Sequence, residues 1–402
     1  MVGQTFLRVL GLVLPVCLCA LSVRAENIPG FSQAGRDQIR IILSQAVEKR
    51  ELPGAVFILA RDGKIVLHEA FGDRKGPAPG KLTKASVFRL YSMVKPIVTT
   101  AAMILVEREK LRLDDPLSKY LPAFSKMRVL DDDGKEEPAK RPILIEDLIQ
   151  HTSGLTYGFF GDGPVRSAYQ SVCFGCTKDL AELADVIARL PLEHHPGEYW
   201  EYSRSIDVLA RVVEVASGLK LDDFLEREIF QPLGMQGIGF GTRNGRAKLL
   251  AGGGVVQENP TLPGGEQLLS SALDYYRFSQ ALLNGGELDG KRILKEKTVN
   301  LMMQDHLARR NIQPGKYIWN GKGWGFGYGF AVSTTKIDKT SNFPAPLGTV
   351  FWSGYGGTSF WIDPANKIIG VFMMASTSKR RHYAGLMRRL VYLGKTEPSG
   401  SE

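Results

Sequence analysis

The hydrophobic period of this chain changes twice, and the order of those changes limits its possible folds more than any other feature. Near the start, Ile39, Ile42, Leu43, Ala46 and Val47 recur at helical spacing. Val56–Ala60 and Ile65–Leu67 then flank Asp62-Gly63 and predict a β-hairpin with a tight turn. From Ser92 to about residue 245 the period is mostly helical. Leu180, Leu183, Ile187 and Leu190 mark one helix, and ahead of it Ser153–Cys176 read as an irregular stretch rich in glycine and aromatics. Ile206, Leu209, Ala210 and Val213 mark another, which stops at Gly218. The last third returns to strands. Gly325–Ser333 is a glycine and aromatic run, and Val350–Ile362 and Lys367–Ala375 flank the turn signal Asp363-Pro364-Ala365-Asn366. A final helix is expected over roughly Arg380–Leu393. Runs of strand at both ends share one sheet if the helical middle is set aside. The pattern therefore predicts an α/β (α+β) chain with a cleft between sheet and helices. The implied sheet domain is 26–85 plus 246–394, the helical domain is 86–245, and 395–402 form a disordered tail.

Residues 1–25 read as a targeting segment. Arg8 precedes an apolar run from Val9 to Val23, and Val23-Arg24-Ala25 has small residues where a signal peptidase reads them. Cleavage is expected after Ala25, giving a secreted or periplasmic protein. No later segment has the ~18 apolar residues of a membrane span. Without the segment, which holds two arginines and no acid, the formal charge of +9 becomes +7. That charge is spread out, with no polybasic block, so nucleic-acid binding is not indicated. Two of the four cysteines leave with the segment. Cys173 and Cys176 remain, and in an oxidising compartment they are expected to close a small disulfide loop. With no second cysteine pair and no metal-ligand spacing among the histidines, neither a metal nor a cofactor is expected.

Chemistry concentrates at Tyr91-Ser92-Met93-Val94-Lys95. Positions i and i+3 share one helical face, which sets an amine beside a hydroxyl. Serine needs a neighbouring base to become a nucleophile, and a partly desolvated lysine can serve. Ser-x-x-Lys occurs four times, at Ser92, Ser217, Ser333 and Ser376. Only at Ser92 does a helical apolar run follow: Val94, Ile97, Val98, Ala101, Ile104 and Leu105. The simpler reading is an N-cap serine with a solvated lysine behind it. A second element is Tyr202, in Pro196-Gly197-Glu198-Tyr199-Trp200-Glu201-Tyr202-Ser203-Arg204-Ser205, where a phenolate near an ammonium can shuttle protons. A third is Trp352-Ser353-Gly354, at the start of a C-terminal strand. Gly354 there lets a substrate approach the backbone, and the N–H groups of Ser92 and Tyr355 can form an oxyanion hole.

These elements, in this order, resemble the penicillin-recognising serine hydrolases of the class C β-lactamase type. That group includes D-Ala-D-Ala carboxypeptidases and the family VIII carboxylesterases. His151-Thr152-Ser153-Gly154-Leu155, Gly290-Lys291-Arg292-Ile293-Leu294 and Gly357-Thr358-Ser359-Phe360-Trp361-Ile362-Asp363-Pro364 share the resemblance, which spans nearly all of the chain after residue 25. It implies a β-lactamase/transpeptidase-like fold, a central antiparallel sheet with an inserted mainly helical domain. It also implies that Ser92 is acylated, that Lys95 helps deprotonate it, and that Tyr202 acts as base and then as acid. His151 is expected to turn the chain.

Two departures bear on specificity. Arg204 stands where the family's β-lactamases and peptidases usually carry asparagine, and Trp352 where they carry lysine or histidine. Tryptophan removes a charge-assisted partner for a carboxylate and adds a flat apolar wall, which favours a neutral ester. Arg204 restores a cation if it reaches the cleft, or else points to solvent. There is no Gly-x-Ser-x-Gly elbow, which argues against an ordinary α/β-hydrolase. The leading expectation is an exported carboxylesterase on short-acyl or aryl esters, closest to family VIII. The alternatives are a β-lactamase or D-Ala-D-Ala carboxypeptidase on an amide, an acyltransferase, and a non-catalytic relative that binds envelope ligands or a partner.

Overall fold

The computed structural model describes residues 31–74, 80–241, 251, 268–315, 323–335 and 345–393. The segment 1–25 with its expected cut, the boundary at residue 246 and the tail 395–402 lie outside the described residues. Helix α1 (Gln33–Glu48) starts where the Ser32 side chain accepts from the Gly35 N–H at 3.0 Å, and it buries Ile39, Leu43 and Ala46. Strands β1 (Gly54–Arg61) and β2 (Lys64–Arg74) form the expected hairpin. Asp62 (φ 51°) and Gly63 (φ 75°) both adopt the left-handed conformation that a two-residue primed turn requires. The short β3 (Gly80–Lys81) pairs with β2.

Helix α2 (Val94–Glu107) follows, then α3 (Ser205–Ser217), capped by Gly218 at φ 75°, and α4 (Ala272–Leu283). The chain returns to strands β4 (Trp324–Phe326), β5 (Ala331–Ser333), β6 (Val350–Ser353), β7 (Ser359–Asp363) and β8 (Ile368–Met374). It closes with α5 (Arg380–Leu393). The eight strands form one sheet in the order β4-β5-β6-β7-β8-β1-β2-β3, and every pairing is antiparallel. Early and late strands meet at β1 and β8, where Ala55 faces Met374 and Arg61 faces Ile368.

Neighbouring residues on β7 show which helix covers which face, because successive side chains on a strand point to opposite sides. The Arg388 guanidinium of α5 lies 5.8 Å from the Trp361 ring centroid, while the Tyr275 ring of α4 lies 4.9 Å from Phe360. Thus α5, with α1 packed beside it, covers one face and α4 the other. Trp352 on β6 is in register with Phe360 and so shares the face of α4.

Helix α2 is mostly apolar, and every residue from Val94 to Leu105 is buried, Lys95 included. Such a helix needs neighbours on every side. It packs against α3, and α3 in turn against the helices Ile145–Gln150 and Leu180–Ile187.

Three expectations need correction. The stretch 153–176, read as irregular, contains the helix Pro164–Gln170, with proline in its first turn where the missing N–H costs nothing. The helical middle also holds a small ladder of Arg128–Leu130 with Glu136–Pro138. The run 350–362 is two strands rather than one, and Trp352-Ser353 ends β6 instead of starting a strand. The reason is backbone proximity. A Cβ on Gly354 would lie 2.2 Å from the Leu90 carbonyl oxygen, and one on Gly356 2.5 Å from the Tyr91 ring. Only glycine lets this turn lie against the segment that carries Ser92.

Candidate active site

Ser92 is not a helix cap. It sits in a single 3-10 turn, Tyr91–Met93, directly ahead of α2. Tyr91 has φ 49°, a left-handed conformation that costs a bulky residue about 1–2 kcal/mol. Bonds from three distant elements hold the turn in place. The Leu90 N–H donates to the Leu268 carbonyl at 2.9 Å. The Thr358 hydroxyl donates to the Leu90 carbonyl at 3.1 Å, and the Tyr275 hydroxyl to the Met93 carbonyl at 2.9 Å. Sequence reading gave no sign of this strain, because nothing in the letters around Tyr91 announces a positive φ.

Lys95 is buried, and its Nζ lies 3.5 Å from Ser92 Oγ. The Tyr202 hydroxyl donates to the same oxygen at 2.6 Å across 110 residues of sequence. The ammonium also lies 5.0 Å from the centroid of the Tyr202 ring and 5.5 Å from that of Tyr157. Desolvated contacts of this kind contribute about 2 kcal/mol each. The structure thus brings Ser92, Lys95 and Tyr202 to one point.

Trp352 stands behind them, buried, 5.4 Å from the Tyr202 ring and edge-on to Phe326 at 5.4 Å. Ser353 and Gly354 follow at the end of β6. Tyr355 projects outward, 59% exposed, and meets Tyr91 edge-on at 6.0 Å.

Arg204 neither points to solvent nor stands as an unmatched cation. It is buried, its Nη1 donates to Asp207 Oδ2 at 3.1 Å, and its guanidinium carbon lies over the Phe174 ring, 3.7 Å from the centroid. It also approaches the Tyr157 ring to 5.2 Å, so Tyr157 stands close to two cations, Lys95 and Arg204. Burial pushes the Asp207 carboxyl above the usual carboxylate range, and Arg204 and then Lys95 pull it back. Phe174 is presented by the loop that the Cys173–Cys176 disulfide closes.

Sequence reasoning missed Tyr157 and Asp207 as individual residues. The only signal for Tyr157 was its place in the glycine- and aromatic-rich stretch. His151 does turn the chain, at φ 59° after the helix Ile145–Gln150. Its buried ring also packs 4.9 Å from that of Tyr202, a contact the sequence did not suggest. Burial, and then the charge on Lys95, hold its imidazole well below the ordinary histidine range. Among the described residues no group of three or more His, Cys, Asp or Glu side chains is placed to hold a metal ion. A cavity bordered by Asp62, Gly63, Tyr276, Asp289 and Lys367 contains none of these residues.

Residues 39–393 match the family described as Beta-lactamase. Esterase EstB of Burkholderia gladioli is 32% identical over 383 residues, covering 86% of this chain and 91% of that protein. An uncharacterized protein of Mycobacterium tuberculosis is 35% identical over 347 residues, covering 80% of this chain and 86% of the relative. Among solved structures, EstCE1, described as a hydrolase with promiscuous acyltransferase activity, is 26% identical. It superposes with a TM-score of 0.75 over 90% of this chain and 99% of its own. The chain therefore belongs to the beta-lactamase family, with the β-lactamase/transpeptidase-like fold, and is a serine hydrolase of its class C-like, esterase-related branch.

Proposed function

We propose that this protein is a carboxylesterase that hydrolyses neutral short-acyl or aryl esters through an acyl-enzyme on Ser92. The observation that carries the reading is the approach of two proton-handling groups, the Tyr202 hydroxyl at 2.6 Å and Lys95 Nζ at 3.5 Å, to one serine oxygen. In this scheme Tyr202 enters the reaction as the phenolate, having given its own proton to solvent, with the positive charge of Lys95 beside it; the phenolate then accepts the Ser92 proton as Oγ adds to the ester carbonyl. The N–H groups of Ser92 and Tyr355 receive the oxyanion. Tyr202 then gives the proton to the departing alcohol. Water, deprotonated by the same phenolate, adds to the acyl carbon and releases the acid and free Ser92.

Specificity for neutral substrates is supported by Trp352, an apolar wall where a cation would serve a carboxylate. The Arg204 contact with Asp207 supports it too, since that cation is already matched by an acid. EstB and the lovastatin esterase of Penicillium rubens, the latter 30% identical over 366 residues, are both esterases and point the same way. Acyl transfer to an alcohol instead of water is a second outcome of the same intermediate, favoured by the description of EstCE1. We also propose export, with residues 1–25 removed after Ala25. Among the described residues, no helix is long and apolar enough to cross a membrane.

The test is a side-by-side rate assay of residues 26–402 on p-nitrophenyl butyrate and nitrocefin, with Ser92→Ala as control. Ester turnover that falls by about 10⁶-fold in the variant, with little nitrocefin cleavage, is expected. Faster turnover of nitrocefin than of the ester would replace the esterase reading with a β-lactamase.

A further inference from the structure

The His-Thr-Ser-Gly segment and the Tyr202 segment interlock through a buried polar chain that the scheme above does not use. The His151 carbonyl accepts from the Glu201 N–H at 2.8 Å. Its ring Nδ1 accepts from the Ser203 N–H at 3.3 Å and lies 3.2 Å from the Ser203 hydroxyl. One residue thus bonds the backbone on both sides of Tyr202 while its ring packs against the Tyr202 ring. The chain continues from the Ser203 hydroxyl to that of Ser205 at 2.7 Å, and from Ser205 to Ser153 at 2.7 Å. His151 and all three serines are fully buried. A neutral imidazole that accepts at Nδ1 carries its proton on Nε2. That atom is buried and finds no partner among the described residues, while Nδ1 receives the Ser203 N–H, so the ring's contact with the Tyr202 segment is made as an acceptor.

We propose that His151 is a positioning residue for Tyr202, and that its Nδ1 acceptor is what fixes the Tyr202 hydroxyl against Ser92. On the other side helical spacing pairs Lys95 with Ser92, and bonds involving Leu268, Thr358 and Tyr275 hold the turn that carries the serine. The proposal rests on the esterase reading, because kcat is its main readout. A misplacement of about 1 Å at a reacting group costs about 100-fold in rate.

The experiment compares His151→Leu with His151→Asn. Asparagine tolerates the left-handed backbone at this position and offers Oδ1 close to where Nδ1 stood. Leucine offers no acceptor. For p-nitrophenyl butyrate, His151→Leu is expected to lower kcat by about 100-fold with KM nearly unchanged, and His151→Asn to recover at least a tenth of the wild-type kcat. The rate of Ser92 labelling by a fluorophosphonate is expected to follow the same order. That second readout separates the two failures. A wild-type protein that labels at Ser92 but cleaves no ester defeats the esterase reading and leaves the clamp testable by labelling. Equal rates for the Leu variant and wild type, with melting curves showing both folded, overturn the clamp. If His151→Leu does not fold, the Asn variant decides alone: a folded His151→Asn protein with about 1% of wild-type activity or less overturns the role of the acceptor, and recovery sustains it.

Discussion

The two sides of the site are held in different ways. Ser92 and Lys95 are three residues apart at the head of a helix whose every residue to Leu105 is buried. Local geometry brings them together, and bonds involving Leu268, Thr358 and Tyr275 fix the turn that carries Ser92. Tyr202 reaches the same oxygen from the far side, on an extended segment ahead of α3. Nothing local holds it. Its place depends on His151, on the serine chain, and on contacts with Tyr157 and Trp352. A serine and an amine three residues apart are paired by helical spacing, whereas Tyr202 is brought to them only by contacts from elsewhere in the chain.

The sharpest way to break the comparison is Tyr202→Phe, which removes the hydroxyl and keeps the ring. Ester turnover is expected to fall by about 10²–10⁴-fold, the range for losing a general acid–base. A loss below tenfold would mean that Lys95 alone activates Ser92 and that the Tyr202 side is structural. The next variant tests the Ser92 side. Gly354→Ala would set a Cβ against the Leu90 carbonyl, where backbone must move. Overpacking of that kind costs about 1–3 kcal/mol, and urea unfolding should record it. An unchanged midpoint would show that the turn is held more loosely than its contacts suggest.

The smallest expected effect is acid sensitivity on the Tyr202 side. Burial, then Lys95, lowers the His151 pKa in the folded protein, while the unfolded chain titrates near the ordinary value of 6.5. Between those values the unfolded state binds the extra proton, so this contribution to stability is complete above about pH 6.5. It is lost as pH falls through the folded value. His68, His194 and His306, also lowered chiefly by burial, add to the same trend. Melting temperatures from pH 7.5 to 5 should therefore fall less steeply for His151→Asn than for wild type. Parallel curves would remove His151 from the account.

The hairpin at Asp62-Gly63, the end of α3 at Gly218 and the final helix were legible in the sequence because each depends on local conformational preference. The end of β6 was not, because glycines at 354 and 356 answer to Leu90 and Tyr91, residues more than 260 positions away. Tyr157 was hidden for a similar reason. It lines the site only because Lys95 of α2 and Arg204, at the start of α3, both come close to its ring.

Taken alone, the sequence determined the alternation of strands and helices, the hydroxyl–amine pair at Ser92 and Lys95, and the substitution of Trp352 for a cation. The first two follow from periodicity and spacing, which a chain carries in its order, and the third from the resemblance of its motifs to a known family. Tertiary structure alone decided that Arg204 is matched by Asp207, that Tyr91 is strained, and that His151 grips both sides of Tyr202. Each depends on burial and on partners distant in sequence, and the free energy of a buried polar group is set by what surrounds it, not by its neighbours in the chain.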